Sequence, residues 1–124
     1  MAKKKILVVD DEVNITKLLK SALERSERYE VRCENEAANA LSATKSFAPD
    51  LILLDVNLPD TSGGEIAATL QEDPSLKRIP IIFLTGMISQ EEVQSGMTVG
   101  GRPALAKPID FGRLIECIEK NLPS

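Results

Sequence analysis

Histidine is absent from this chain of 124 residues. That removes a Ser-His-Asp triad, a histidine general base and histidine-ligated zinc. Any chemistry must run on carboxylates, hydroxyls, lysine and the backbone. Aromatic residues are scarce at 3%, so Leu, Ile, Val and Ala must fill the core. The two cysteines, Cys33 and Cys117, stand far apart and show no CxxC spacing. They read as small core residues, and no disulfide is expected. No apolar run approaches membrane-spanning length, and ILVV after the lysines of MAKKK is too short for a secretory signal. MAKKK, the only lysine run, reads as a solvated tail. A basic face is missing as well. The net charge of −4 argues against nucleic acid as a direct partner, since phosphate binding needs clustered cations. No repeat, low-complexity segment or Pro- or Ser-rich linker interrupts the chain. The expectation is one cytoplasmic domain over 1–124, with no membrane partner and no output domain in this chain.

What is present alternates regularly. KILVV at 5–9 predicts a strand. Ile15, Leu18, Leu19, Ala22 and Leu23 then recur at helical spacing. YEVRC at 29–33 alternates like a strand with one buried face. Ala37, Ala40, Leu41 and Thr44 form a second helical stripe, and LILL at 51–54 a buried strand. A Gly63-Gly64 turn opens a third helix carrying Ile66, Ala67 and Leu70. IPIIFL at 79–84 is another apolar strand, 89–97 a weaker helix, and ALA at 104–106 a short fifth strand. Phe111, Leu114, Ile115, Ile118 and Leu122 mark an amphipathic last helix, with Asp110 as its N-cap. Three strands are continuous apolar runs, the mark of a parallel sheet covered by helices on both sides.

Such sheets bind ligands beyond the carboxyl ends of their strands. After the first strand come Asp10, Asp11 and Glu12; after the third, Asp55; after the fourth, Thr85 and Gly86; after the fifth, Lys107 and Pro108. Any one of these could be a loop residue or a cap, and Asp11 or Glu12 could simply favour the positive end of the first helix. Together they predict one pocket holding carboxylates, a hydroxyl and a lysine. Crowded carboxylates repel, and a divalent cation relieves the repulsion. Oxygen-only ligands favour a hard ion, Mg²⁺ before zinc or copper. Asp55, anchored by the apolar run before it, can act as a nucleophile toward phosphorus and become an acyl phosphate. Lys107 and the cation would neutralise the transferring group, and Thr85 could hydrogen-bond a phosphoryl oxygen.

Asp10-Asp11, Asp55 within LLDVNLPDTSGG, Thr85-Gly86 and Lys107-Pro108, at these spacings, resemble a receiver domain of the bacterial two-component response-regulator family. The resemblance runs over essentially the whole chain. It implies a flavodoxin-like α/β fold, a doubly wound five-stranded parallel sheet of order 2-1-3-4-5 flanked by five helices. It implies that Asp55 takes phosphate from a phosphohistidine on a sensor histidine kinase or histidine phosphotransfer protein. Asp11 and Asp55 would ligate Mg²⁺ with the backbone carbonyl of Asn57, and Asp10 would hold the ion mainly through water. Lys107 would pair with the phosphate, and its bond to Pro108 would be cis. A downstream protein would dock on the face of the fourth helix, fifth strand and last helix. The chain would be a monomer or weak homodimer. It would be a switch rather than an enzyme, limited to self-phosphorylation and slow self-dephosphorylation.

One place departs from the family. An aromatic residue often lies three positions before the lysine, and here that position is Ala104. An inward swing of an aromatic coupled to Thr85 is therefore not available. Gly96, Gly100 and Gly101 weaken the predicted fourth helix, each interior glycine by up to about 1 kcal/mol; phosphorylation is expected to order or shift that segment, and tight packing is the competing explanation. Asn57 and Met87 are expected to sit beside the path of attacking water, and apolar Met87 to slow loss of phosphate. Two other functions compete. An aspartyl-phosphate phosphatase would commonly carry a second acid where Asn57 stands. A non-phosphorylated docking domain would not need the full set of Asp10, Asp11, Asp55, Thr85 and Lys107.

Overall fold

The computed structural model describes residues 3–59, 61–86, 98–99 and 102–122. Strand β1, Lys4–Val9, leads to helix α1, Val13–Glu24. Strand β2, Tyr29–Glu34, is followed by a single 3-10 turn, Ala37–Asn39, and helix α2, Ala40–Phe47. Strand β3, Leu51–Asp55, precedes helix α3, Gly63–Glu72, and strand β4, Ile81–Thr85. The two-residue β5, Thr98–Val99, strand β6, Arg102–Ala106, and helix α4, Phe111–Asn121, complete the described chain.

The five long strands run parallel in the order β2-β1-β3-β4-β6. β5 adds an antiparallel edge outside β6. The apolar runs are explained by what lies on each face. Alternate residues of a strand point to opposite sides. Leu7, Val9, Ile52, Leu54, Ile81 and Phe83 pack with Ala40, Ala43, Ala67 and Leu70 of α2 and α3. Ile6, Val8, Leu51, Leu53, Ile82 and Leu84 pack with Leu19 and Leu23 of α1 and Leu114 and Ile118 of α4. With both faces covered, polar residues of the inner strands stand only at strand ends, as Lys4, Lys5, Asp55 and Thr85 do. β2 lies at the sheet edge, where Glu30 and Arg32 are exposed while Tyr29 and Val31 are buried. Cys33 and Cys117 are free thiols, half-buried against the second cluster.

Several boundaries differ from the sequence pattern. The strand expected at 79–84 begins at Ile81, because Pro80 has no N–H to give the ladder. Pro80 contributes only its carbonyl, which accepts from Ile52 N at 3.0 Å. The stripe from Ala37 to Thr44 is split, with a tighter turn before α2. Gly63 is inside α3 rather than in a turn before it. Ser62 is the N-cap, and its hydroxyl accepts from Glu65 N at 3.1 Å. The fifth long strand starts two residues earlier than expected, at Arg102. Asp110 caps α4 as predicted, its carboxylate accepting from Arg113 N. Four α-helices are found among the described residues; the weak helix expected at 89–97, with Met87 and Gly96, Gly100 and Gly101, lies outside them. No described helix is long and apolar enough to cross a membrane.

Candidate functional site

Parallel strands deliver their carboxyl ends to one rim, and here four of them are neighbours. Register brings Val9 beside Leu54, Asp55 beside Leu84 and Thr85 beside Ala106. Backbone pairing continues past the strands: Asp10 N donates to Glu34 O at 3.1 Å, Val56 N to Leu84 O at 3.0 Å, and Lys107 N to Thr85 O at 2.8 Å. The residues after each strand are thus held by main-chain bonds before any side chain is considered. The Lys107–Pro108 bond is cis.

The side chains converge. Asp10, Asp11 and Asp55 each offer a carboxylate oxygen, and these oxygens lie within 4.8 Å of one another. Asp10 is fully buried, Asp55 is 3% exposed and Asp11 is open to solvent. Lys107 Nζ lies 2.8 Å from Asp10 Oδ2 and 3.4 Å from both Asp55 Oδ2 and Glu12 Oε1. The backbone orients the other oxygens. Glu12 N donates to Asp10 Oδ1 at 2.9 Å, and Asn57 N donates to Asp55 Oδ1 at 3.2 Å. Thr85 is buried at the end of β4 and Asn57 is exposed.

Electrostatics follow from this crowding. Burial, and then the charge of Asp10, push the Asp55 carboxyl from 3.8 up to about 6; the Asn57 N–H and Lys107 pull the other way. Burial alone would lower Lys107, but Asp10, Asp55 and Glu12 outweigh it and raise the ammonium above its ordinary value. Among the described residues Asp10 Oδ2 is buried with no hydrogen-bond partner, so its contact with Lys107 is an ion pair without good hydrogen-bond geometry. One lysine against this many carboxylates leaves an excess of negative charge and an underused buried oxygen. Both fit a cation, and the all-oxygen donor set fits a hard one. The cluster of Asp10, Asp11 and Asp55 could hold a metal ion.

Every described site residue expected from the sequence falls on this rim or in the loops that leave it, and Met87 lies outside the described residues. Two residues have roles that the pattern did not reveal. Glu12, read from the sequence as either a pocket residue or one that favours the positive end of the first helix, forms no side-chain cap and reaches Lys107. Gly63 donates to Val56 O at 2.9 Å, and a Cβ there would stand 2.3 Å from the carbonyl oxygen of Asp55. The first turn of α3 lies directly against the backbone that carries Asp55. The glycine pair in the sequence was the available signal, and at Gly63 close approach rather than turning is the reason.

Known proteins share this fold. The family profile described as "Response regulator receiver domain" matches residues 6–119. The polar-differentiation response regulator DivK of Brucella anthropi is 34% identical, over 98% of both chains. The nisin biosynthesis regulatory protein NisR of Lactococcus lactis subsp. lactis is 35% identical over 95% of this chain, which spans 50% of NisR. Among solved structures, the chemotaxis protein CheY4 of Vibrio cholerae superposes with a TM-score of 0.82 at 30% identity, covering 98% of this chain and all of that one.

Proposed function

The chain belongs to the response regulator receiver domain family, and from that premise we propose that it is a phosphorylation-controlled switch whose phosphoacceptor is Asp55. The observation that carries this is the meeting of Asp10, Asp11, Asp55 and Lys107 at one rim of the sheet. Near neutral pH a carboxyl titrating at about 6 is mostly ionised, so Asp55 is a competent nucleophile that is nevertheless easily relieved of its charge. An Asp55 oxygen bonds to phosphorus as the P–N bond of a donor phosphohistidine breaks, and that bond pair returns to the imidazole. The Asn57 N–H holds Oδ1, which leaves the Oδ2 side, next to Lys107, for the incoming group. Lys107 pairs with the phosphoryl oxygens, and the Thr85 hydroxyl donates to one of them. Asp11, Asp55 and the Asn57 carbonyl would hold Mg²⁺, with Asp10 acting through water. When bound, Mg²⁺ would neutralise charge on the phosphoryl oxygens.

Receiver domains of response regulators generally interact with histidine kinases and downstream targets. For this chain the donor is a sensor histidine kinase or a histidine phosphotransfer protein in the cytoplasm. The target docks on the face that includes β6 and α4. With Ala104 buried where the family often has an aromatic, the signal reaches that face by a movement of backbone rather than by a ring swinging inward. The chain acts on no substrate other than its own aspartate, and it works as a monomer or weak dimer.

Intact mass after incubation with acetyl phosphate and Mg²⁺ tests the proposal. One labile phosphoryl group is expected on the wild type and none on Asp55→Asn. Rapid turnover of many phosphate esters would replace the switch with a phosphatase, and no adduct would leave a docking domain.

A further inference from the structure

Among the described residues Lys107 has three carboxylate neighbours, and they are not equivalent. The side chains of Asp10 and Asp55 are 0% and 5% exposed, while that of Glu12 is 59% exposed. Burial fixes the first two. Glu12 stands at the start of α1, makes no capping bond, and spends its carboxylate on Lys107 Nζ at 3.4 Å. A phosphoryl group arriving on Asp55 brings negative charge beside Asp55 Oδ2, and thus beside the same ammonium. It must compete with the neighbours already there. Of these, Glu12 alone can withdraw into water, and an exposed ion pair is weak enough to be given up.

We propose that Glu12 is a positioning residue for Lys107, holding the ammonium at the mouth of the site before phosphorylation and releasing it to the phosphoryl group. The inference rests on the reading of Asp55 as phosphoacceptor. It has a signed consequence. Glu12 offsets the charge of Lys107, so removing it leaves the pocket more positive. Phosphoryl binding then tightens and divalent cation binding weakens. A structural defect would weaken both.

The test is calorimetric titration of the wild-type chain and Glu12→Gln, first with Mg²⁺ alone and then with beryllofluoride, a phosphoryl mimic, at saturating Mg²⁺. Beryllofluoride is expected to bind Glu12→Gln roughly two- to five-fold more tightly, and Mg²⁺ to bind more weakly by a similar factor, as for an exposed ion pair. Glu12→Asp keeps the charge but pulls the carboxylate back from Lys107, and it is expected to tighten beryllofluoride as Glu12→Gln does. Unchanged affinities in Glu12→Gln, or both affinities falling together, overturn the inference. So does Glu12→Asp behaving as wild type, which would assign the effect to diffuse charge rather than to contact with Lys107. A wild type that binds neither probe would overturn the phosphoacceptor reading as well, whereas a wild type that binds both beside an unchanged Glu12→Gln overturns only the role of Glu12.

Discussion

Asp55 is held in a place that suits its neutral form better than its charged one. Its carboxyl titrates at about 6 in the folded chain against 3.8 for the free group. Between these values the folded chain keeps a proton that the unfolded chain has already lost. Stability therefore falls as pH rises through this window, and the loss is complete above it. Asp55→Asn removes the cause. In metal-free buffer at neutral pH that variant is expected to be more stable than wild type by roughly 2–3 kcal/mol, with the gain vanishing below about pH 4. Urea unfolding at several pH values checks it, and an equal gain at every pH would exclude titration as the source. A cation that binds the site relieves the same strain, so the gain should shrink when Mg²⁺ is added.

Elements are where the sequence was most and least legible. β1 and β3 could be read because burial on both faces leaves an unbroken apolar run that stops where the rim begins. The start of β4 was misplaced because composition favoured Ile79 and Pro80 while the ladder needs an N–H that proline lacks. β5 is two residues long and has no pattern to read. The end of α2 was hidden for another reason. Ala48 caps it at φ 51, the left-handed region where glycine would be the usual signal. Ala48→Gly is expected to stabilise the chain by about 1 kcal/mol, seen as a higher urea midpoint with an unchanged slope. A lower midpoint would mean that the lost methyl packs more than it strains. Gly63 makes the opposite case. Gly63→Ala places a methyl against the Asp55 carbonyl, so α3 or the end of β3 must move. A loss of about 1–3 kcal/mol is expected, together with slower phosphorylation by acetyl phosphate. Slower phosphorylation without lost stability would point to a purely local displacement of Asp55.

At the scale of the whole molecule, the rim of the sheet is what makes distant residues neighbours. Glu12 and Lys107 are 95 positions apart and share a hydrogen bond. A linear pattern shows which residues follow strands, and a parallel sheet then brings them together. It does not show which of two adjacent acids points inward, and so the partner of Glu12 was not legible while the meeting of Asp10, Asp55 and Lys107 was. The same rim predicts linkage between metal and stability. Mg²⁺ in large excess over its dissociation constant is expected to stabilise the wild-type chain by about 1–3 kcal/mol. Asp11→Asn should lose most of that response, as thermal melts with and without Mg²⁺ would report. A response equal to that of wild type would remove Asp11 from the cation site.

The central claim is that phosphorus is esterified to one particular carboxylate of this cluster. Reduction of the phosphorylated chain with borohydride, which converts an acyl phosphate to an alcohol, followed by peptide mapping, locates it directly. The proposed mechanism predicts homoserine at position 55 only, appearing after treatment with acetyl phosphate and Mg²⁺. Homoserine at position 10 or 11 instead, or at no position in a chain that carries phosphate, would contradict it.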